Sequence, residues 1–329
     1  MIFWILASVI AVTLCVGLAL VPVGEPAPVV PGNAPERAPE LDLAGYCDTA
    51  PGSPFDLLFI HHSVGGQLLA DVGDERGPDV PRCIYDSHPN GGGLRRKLEQ
   101  CGYRVHEASY SSTIGQRTDL LDWPPKFREQ FDRIRRTERQ DQLLDATVNR
   151  IVVFKSCYPN NSFGPDGPPP PALTLANAKA AMRELRDELA RHPDTLFVYM
   201  TAPPLRARAV RERLWKWAAR RALGKPASAS GQVFAADTAR TFNNWMKSPA
   251  GWLAGYSARN VVVFDYFDIL TGDGRCNFLE FASRGGTDDH PSSTGQRIAA
   301  ERFVPFLNRA VRHAGFVASD TKLTLVSSR

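Results

Sequence analysis

The sequence predicts an α/β fold in which a parallel sheet carries helices on both faces. Three observations point there. Five short apolar runs, rich in Val, Ile, Leu and Phe, alternate along the chain with segments of helical spacing. The first run, residues 55–60, is almost continuously apolar, as a strand buried on both faces reads. Polar and small residues collect where the runs stop, and open α/β sheets bind ligands at that carboxyl edge.

Length and composition agree with this reading. The chain has 329 residues, 43% of them hydrophobic, enough to bury the core of one large α/β domain. Its net charge of +4 is mild, and no RNA- or DNA-binding signature accompanies it, so nucleic acid is not an expected partner. No G-x-G-x-x-G follows the first strand and there is no Walker loop. Neither a CxxC nor a Cys/His spacing suggests zinc. No cofactor or metal is expected, and oligomeric state is not encoded in any pattern found.

The N-terminus sets the expected location. Residues 1–23 are apolar with no charge before Glu25, which suits either a signal peptide or a transmembrane anchor. Residues 24–45 are rich in Pro and read as an extended linker. The folded domain is assigned to residues 46–316, and 317–329 form a tail. This layout predicts an exported protein, membrane-anchored or periplasmic/extracellular, with the membrane as a partner through its first segment. In an oxidising compartment some cysteines should pair; Cys83 with Cys101 is favoured, Cys47 with Cys276 is second, and Cys157 is left free.

The elements follow in order. The first strand runs into His61-His62-Ser63 and a Gly65-Gly66 turn. Residues 73–93 read as a surface loop and 94–100 as a helix that Gly102 stops. A strand over 103–110 ends in SSTIGQ, and a charged helix covers 127–147. The third strand, 150–156, ends at Cys157-Tyr158-Pro159-Asn160-Asn161, and a proline-rich loop spans 164–171. An amphipathic helix over 173–191 leads to the fourth strand, 195–201. Residues 205–225 are basic around Trp215 and Trp217. They suit a lid touching anionic lipid or polysaccharide, or a solvated helix face. A helix at 234–246, a fifth strand at 260–267 and an amphipathic helix at 291–314 close the chain, with Ser292 or Ser293 as its cap.

Four polar clusters therefore stand at strand ends or before the last helix: Ser63, Gly115, Asn160-Asn161, and Asp288-Asp289-His290. Acyl transfer from an ester needs such a set. A hydroxyl nucleophile needs a base, and histidine titrates near neutrality. The imidazole needs a carboxylate to fix its tautomer, and the tetrahedral oxyanion needs N–H donors.

At these residues the chain resembles the SGNH (GDSL-like) hydrolase superfamily. Ser63 lies in HHSVGG, Gly115 in SSTIGQ, Asn160 in SCYPNN and His290 in TDDHPSSTGQ. The resemblance implies a flavodoxin-like three-layer α/β/α sandwich with a five-stranded parallel sheet. It implies Ser63 as nucleophile and His290 as base, and Ser63 N–H, Gly115 N–H and the Asn160 amide as oxyanion donors. It further implies a serine esterase acting on an O-acyl ester, such as an acetyl group on a glycan. The chain departs from the family in three places. His61-His62 stands where Gly-Asp is common. The third block has one extra residue, which makes Asn161 an alternate donor. Thr287 stands where the family's Asp usually lies, so Asp288 takes that role, with Asp265 and Asp289 as alternates. These departures keep a second reading open, a catalytically inactive SGNH-like glycan-binding protein at the cell envelope. Cys157 as nucleophile is a third. A metal site from His61, His62, Asp288 and His290 is disfavoured, because adjacent strand residues point to opposite faces.

Overall fold

The computed structural model describes residues 22–24, 38–71, 91–166, 173–209, 211–213, 219, 221–223 and 230–317. Residues 1–21 of the segment expected to be an anchor, most of the linker, the loop holding Cys83, and Trp215 and Trp217 lie outside the described residues. Among the described residues no helix is long and apolar enough to cross a membrane. Cys47, Cys101, Cys157 and Cys276 are free thiols, so the Cys47–Cys276 pairing does not form.

The five apolar runs are the five parallel strands of one sheet. They are β2 (Phe55–Ile60), β3 (Tyr103–Ala108), β6 (Ile151–Lys155), β7 (Leu196–Met200) and β9 (Val261–Phe264), lying in the order β3-β2-β6-β7-β9. Numbered among themselves this is 2-1-3-4-5, the flavodoxin-like order. The sheet has seven strands rather than five, because β4 (Thr137–Arg139) and β5 (Gln142–Leu143) extend it beyond β3. The charged helix expected over 127–147 is instead α3 (Trp123–Arg136), followed by this short hairpin. Gln140, at φ 54°, turns the chain back, and the Asn149 amide donates to the Thr137 carbonyl at 2.7 Å. Two further strands, β1 (Pro22–Gly24) and β8 (Arg211–Arg213), pair antiparallel with one another in a separate ribbon.

Why β2 is central follows from its side chains. All six residues are buried, and successive ones point to opposite faces. Phe55, Leu57 and Phe59 enter one apolar core, packed by α1 (Ser63–Leu69), α2 (Leu94–Gln100) and the long α8 (Ser293–His313). Leu58 and Ile60 enter the other, under α3, α4 (Leu175–Leu189) and α5 (Ser230–Lys247). Each large side chain so buried contributes about 1.5–3 kcal/mol, so two cores on one strand fix its register firmly. Asp56 is the polar exception, and it holds Arg104 of β3 through bonds of 2.6 and 2.5 Å.

The turn expected at Gly65-Gly66 is absent, and both glycines lie in α1. A Cβ on Gly65 would come within 2.4 Å of the His61 Cβ. Glycine there lets the helix start directly over the end of β2. Two short helices, α6 (Tyr266–Leu270) and α7 (Ser283–Gly286), follow β9 and precede α8. Ser292 is the N-cap residue of α8, but its side chain makes no capping bond.

Candidate active site

Three side chains from two distant stretches of sequence form one line of hydrogen bonds. Ser63 is the first residue of α1, just beyond β2, and its Oγ lies 2.9 Å from His290 Nε2. His290 Nδ1 lies 2.8 Å from Asp288 Oδ1, which also accepts the His290 backbone N–H at 3.1 Å. The backbone around His290 is pinned on both sides: its carbonyl accepts from Ser283 N–H at 2.9 Å, and Ser292 N–H bonds the Phe281 carbonyl at 2.6 Å. Tyr158 meets the imidazole edge-on at 5.3 Å. With Nδ1–H donating to the carboxylate, Nε2 carries a lone pair and faces the serine hydroxyl.

Asn160 sits in the 3-10 turn Tyr158–Asn161 after β6. Its Oδ1 accepts from Leu120 N–H at 2.8 Å, and its Nδ2 donates to Asp119 at 2.7 Å. Those two bonds fix the amide orientation and leave one Nδ2 hydrogen uncommitted, since an amide carries two. Asp119 was not singled out by sequence, yet Asp119 and Asp122 form a capping box before Trp123-Pro124-Pro125, and that spacing is its signal.

Asn161, the alternate, faces elsewhere. It donates to the carbonyls of Ala202 at 3.0 Å and Pro203 at 2.8 Å, and its Oδ1 accepts from Asn243 at 3.3 Å. This spends both amide hydrogens on backbone. Gly115 also differs from expectation. Its N–H donates within its own loop, to the Ser112 carbonyl at 3.2 Å and the Ser112 Oγ at 3.0 Å. A Cβ there would come within 2.2 Å of the Ser109 carbonyl oxygen, so close approach requires the glycine. Ser63 N–H, at the first position of α1, has no carbonyl one turn earlier within its helix.

The alternates to Asp288 are engaged in other networks. Asp265 accepts from Lys247 Nζ at 2.5 Å and caps α6 through Asp268 N–H at 3.0 Å. Asp289 accepts from the backbone of Arg206 at 3.1 Å and from the Arg208 guanidinium. Among the described residues Glu40, Asp265 and Asp268 have metal-ligand spacing, but Lys247 Nζ already lies 2.5 Å from both aspartates.

His61 and His62 explain themselves in the structure. His61 is fully buried beneath α1, with Nε2 2.9 Å from Glu107 and Nδ1 2.7 Å from the His62 carbonyl. His62 stacks on Tyr110 at 3.9 Å, and its Nε2 lies 2.7 Å from the Gly115 carbonyl. Burial lowers its pKa to about 4, so it is neutral near pH 7, donating from Nε2 and accepting Thr118 Oγ1 at 3.2 Å. It thereby ties the loop after β3 to the residue preceding Ser63. Cys157 approaches the serine as well, with Sγ 3.8 Å from Ser63 Oγ and 4.0 Å from Lys155 Nζ.

Comparison with known proteins gives a distant likeness. No protein-family model matches the chain, and no curated protein sequence is significantly similar to it. Among solved structures it is similar to a carbohydrate esterase family 2 enzyme with its carbohydrate-binding domain, from Corynascus thermopiles (Myceliophthora fergusii). That match has 15% identity and a TM-score of 0.36, over 81% of this chain and 68% of the other. A second carbohydrate esterase, described as having divergent catalytic and non-catalytic binding functions in its active site, matches at 14% identity and a TM-score of 0.37. It is matched over 78% of this chain and 65% of its own length, just under two thirds.

Proposed function

We propose that the protein is an SGNH-type serine esterase that hydrolyses an O-acyl ester, such as an acetyl group on a glycan, outside the cytoplasm. The observation that carries this reading is the unbroken line Asp288–His290–Ser63, with bonds of 2.8 and 2.9 Å. Such a line is what activates a hydroxyl that is a poor nucleophile at its own pKa. The export half of the proposal rests on the apolar residues 1–23 and the proline-rich stretch after them.

In this mechanism Ser63 Oγ attacks the acyl carbon while its proton passes to His290 Nε2. Asp288 holds the ring in the Nδ1–H tautomer and stabilises the imidazolium that forms. The oxyanion takes hydrogen bonds from Ser63 N–H and the uncommitted Asn160 Nδ2 hydrogen. Gly115 N–H contributes only if it leaves Ser112. His290 then delivers its proton to the departing alkoxide. Water then bonds to the acyl carbon from the same face, giving a proton to Nε2; the bond from that carbon to Ser63 Oγ breaks, Nε2 returns the proton to Oγ, and the acid leaves.

The test is hydrolysis of short-chain aryl esters and acetylated sugars by wild type and Ser63→Ala. Wild type should turn over both classes, and the variant neither. Near-wild-type turnover by Ser63→Ala would instead assign the chemistry to Cys157.

A further inference from the structure

Beside the Asp288-Asp289-His290 run lies a cavity of about 230 Å³ that the steps above do not use. Leu205, Ala235 and Phe278 form its apolar side, and Arg206, Arg208 and Gln232 its polar side. Its wall is held from several directions. The Leu205 carbonyl accepts from Leu279 N–H at 2.8 Å, and Arg206 N–H donates to Asp289 at 3.1 Å. Arg208 and Gln232 exchange two bonds of 3.0 Å, backbone to amide in each direction.

Two guanidinium groups share one carboxylate there. Arg208 bonds Asp289 Oδ2 directly, while Arg206 Nε stands 3.9 Å from Oδ1. The Arg206 NH1 reaches the Gly286 carbonyl only at 3.5 Å, and its Nε is buried without a hydrogen-bond partner. A guanidinium carries five donors in a fixed fork, and buried polar atoms in native structures are as a rule bonded. Among the described residues Arg206 is therefore short of acceptors, and two guanidinium groups lean on the one carboxylate of Asp289. A planar anion entering the cavity would meet the partly exposed Nη edge of the guanidinium, which matches a carboxylate or a phosphate in two parallel bonds.

We infer that this cavity is an anion subsite, and that the protein's ester substrate bears an acid group, a carboxylate or a phosphate, which Arg206 and Arg208 receive. Because Asp289 is bonded to both arginines and adjoins His290, occupancy would anchor the substrate next to the base. The word substrate rests on the esterase proposal; the binding of an anion does not.

The experiment separates the two. In full-length Ser63→Ala, titration calorimetry is run with D-glucuronate, D-glucose 6-phosphate and D-glucose. An acidic sugar should bind and glucose should not, with the tighter acid identifying carboxylate or phosphate. Arg206→Gln should weaken that acid about tenfold, the loss of one charge-assisted pair, and Arg206→Lys by less. In wild type, kcat/KM is compared for acetylated methyl glucuronide and acetylated methyl glucoside. The acidic ester should be preferred, and Arg206→Gln should lower that preference about tenfold, chiefly through KM. If neither acid binds better than glucose, or if neither Arg206→Gln nor Arg208→Gln weakens it, the subsite is overturned. Hydrolysis of both esters without preference overturns the subsite and keeps the esterase. Acid binding with no ester hydrolysed does the reverse.

Discussion

His290 and His61 each lie against a carboxylate, at 2.8 Å from Asp288 and 2.9 Å from Glu107. The resemblance ends at the second nitrogen. In His290 it meets a hydroxyl, which can give up a proton to the lone pair there. In His61 it meets the His62 carbonyl, which can only accept, so both ring nitrogens face acceptors and no lone pair is turned toward a donor. Surroundings differ in the same sense. His61 and Glu107 are fully buried, and Glu107 also holds Arg95 at 2.5 Å, while His290 and Asp288 are partly open to solvent. On the proposed mechanism a histidine–carboxylate pair is thus a base in one position and a brace in the other, and what distinguishes them is the chemistry at the second nitrogen.

Six substitutions test this contrast. The largest effect should come from His290→Ala, which removes the proposed base: a loss of about 10⁴-fold or more in kcat, with the denaturation midpoint little changed. Adding Ser63→Ala should cost little more, because the two act as one unit. Glu107→Ala should do the opposite. It leaves His61 and Arg95 without their shared carboxylate and should destabilise the fold by about 3–5 kcal/mol in urea titration, with kcat of the folded fraction within a few-fold of wild type. A kcat loss in Glu107→Ala as large as that of His290→Ala would erase the distinction.

Asn160→Ala comes third, with about a hundredfold loss in kcat and little change in KM, since its donor is aimed at charge that appears only during reaction. Asn161→Ala should leave kcat nearly unchanged and lower stability, because its amide is bonded to the Ala202 and Pro203 carbonyls. The reverse pattern would exchange the two roles.

The smallest effect concerns pH. Burial lowers the His62 pKa from 6.5 to about 4, so between those values the unfolded chain binds more protons than the folded one. Stability from this residue is therefore full above pH 6.5 and is lost as pH falls toward 4. Glu107 adds to the trend further down. Burial alone would raise its pKa, but the bond and charge of His61, with Arg95, hold it below the usual carboxylate value. Its contribution is present above the ordinary glutamate pKa and is lost as pH falls through the lowered one. Urea midpoints at pH 7 and pH 5 should therefore fall less in His62→Gln than in wild type. An equal drop in both would remove His62 from this account.

Much of the fold was legible because burial writes itself into sequence as apolar runs. The helix at Leu94–Gln100 was read to the residue, and all five parallel strands were found within a few residues of their ends. The hairpin of β4 and β5 was not, since TERQDQL carries no apolar alternation at a sheet edge. The first turn of α1 was misread because Gly65-Gly66 signals a turn locally, and only the overlying His61 explains the need for glycine. In the site, residue types at strand ends pointed to Ser63, Asn160, Asp288 and His290. Sequence could not reveal that Gly115 spends its N–H on Ser112, or that Asp289 belongs to Arg206 and Arg208. Those are facts about where backbone groups end up, and no side-chain pattern encodes them.

The central claim is that Ser63 is the activated nucleophile and His290 its base. Labelling with a fluorophosphonate probe, followed by peptide mass spectrometry, tests it most directly, because the probe reacts with an activated serine whatever the natural ester is. One adduct, on Ser63, is expected in wild type, with its near-complete loss in His290→Ala. An unlabelled Ser63 in folded wild type, or labelling that persists undiminished in His290→Ala, would contradict it.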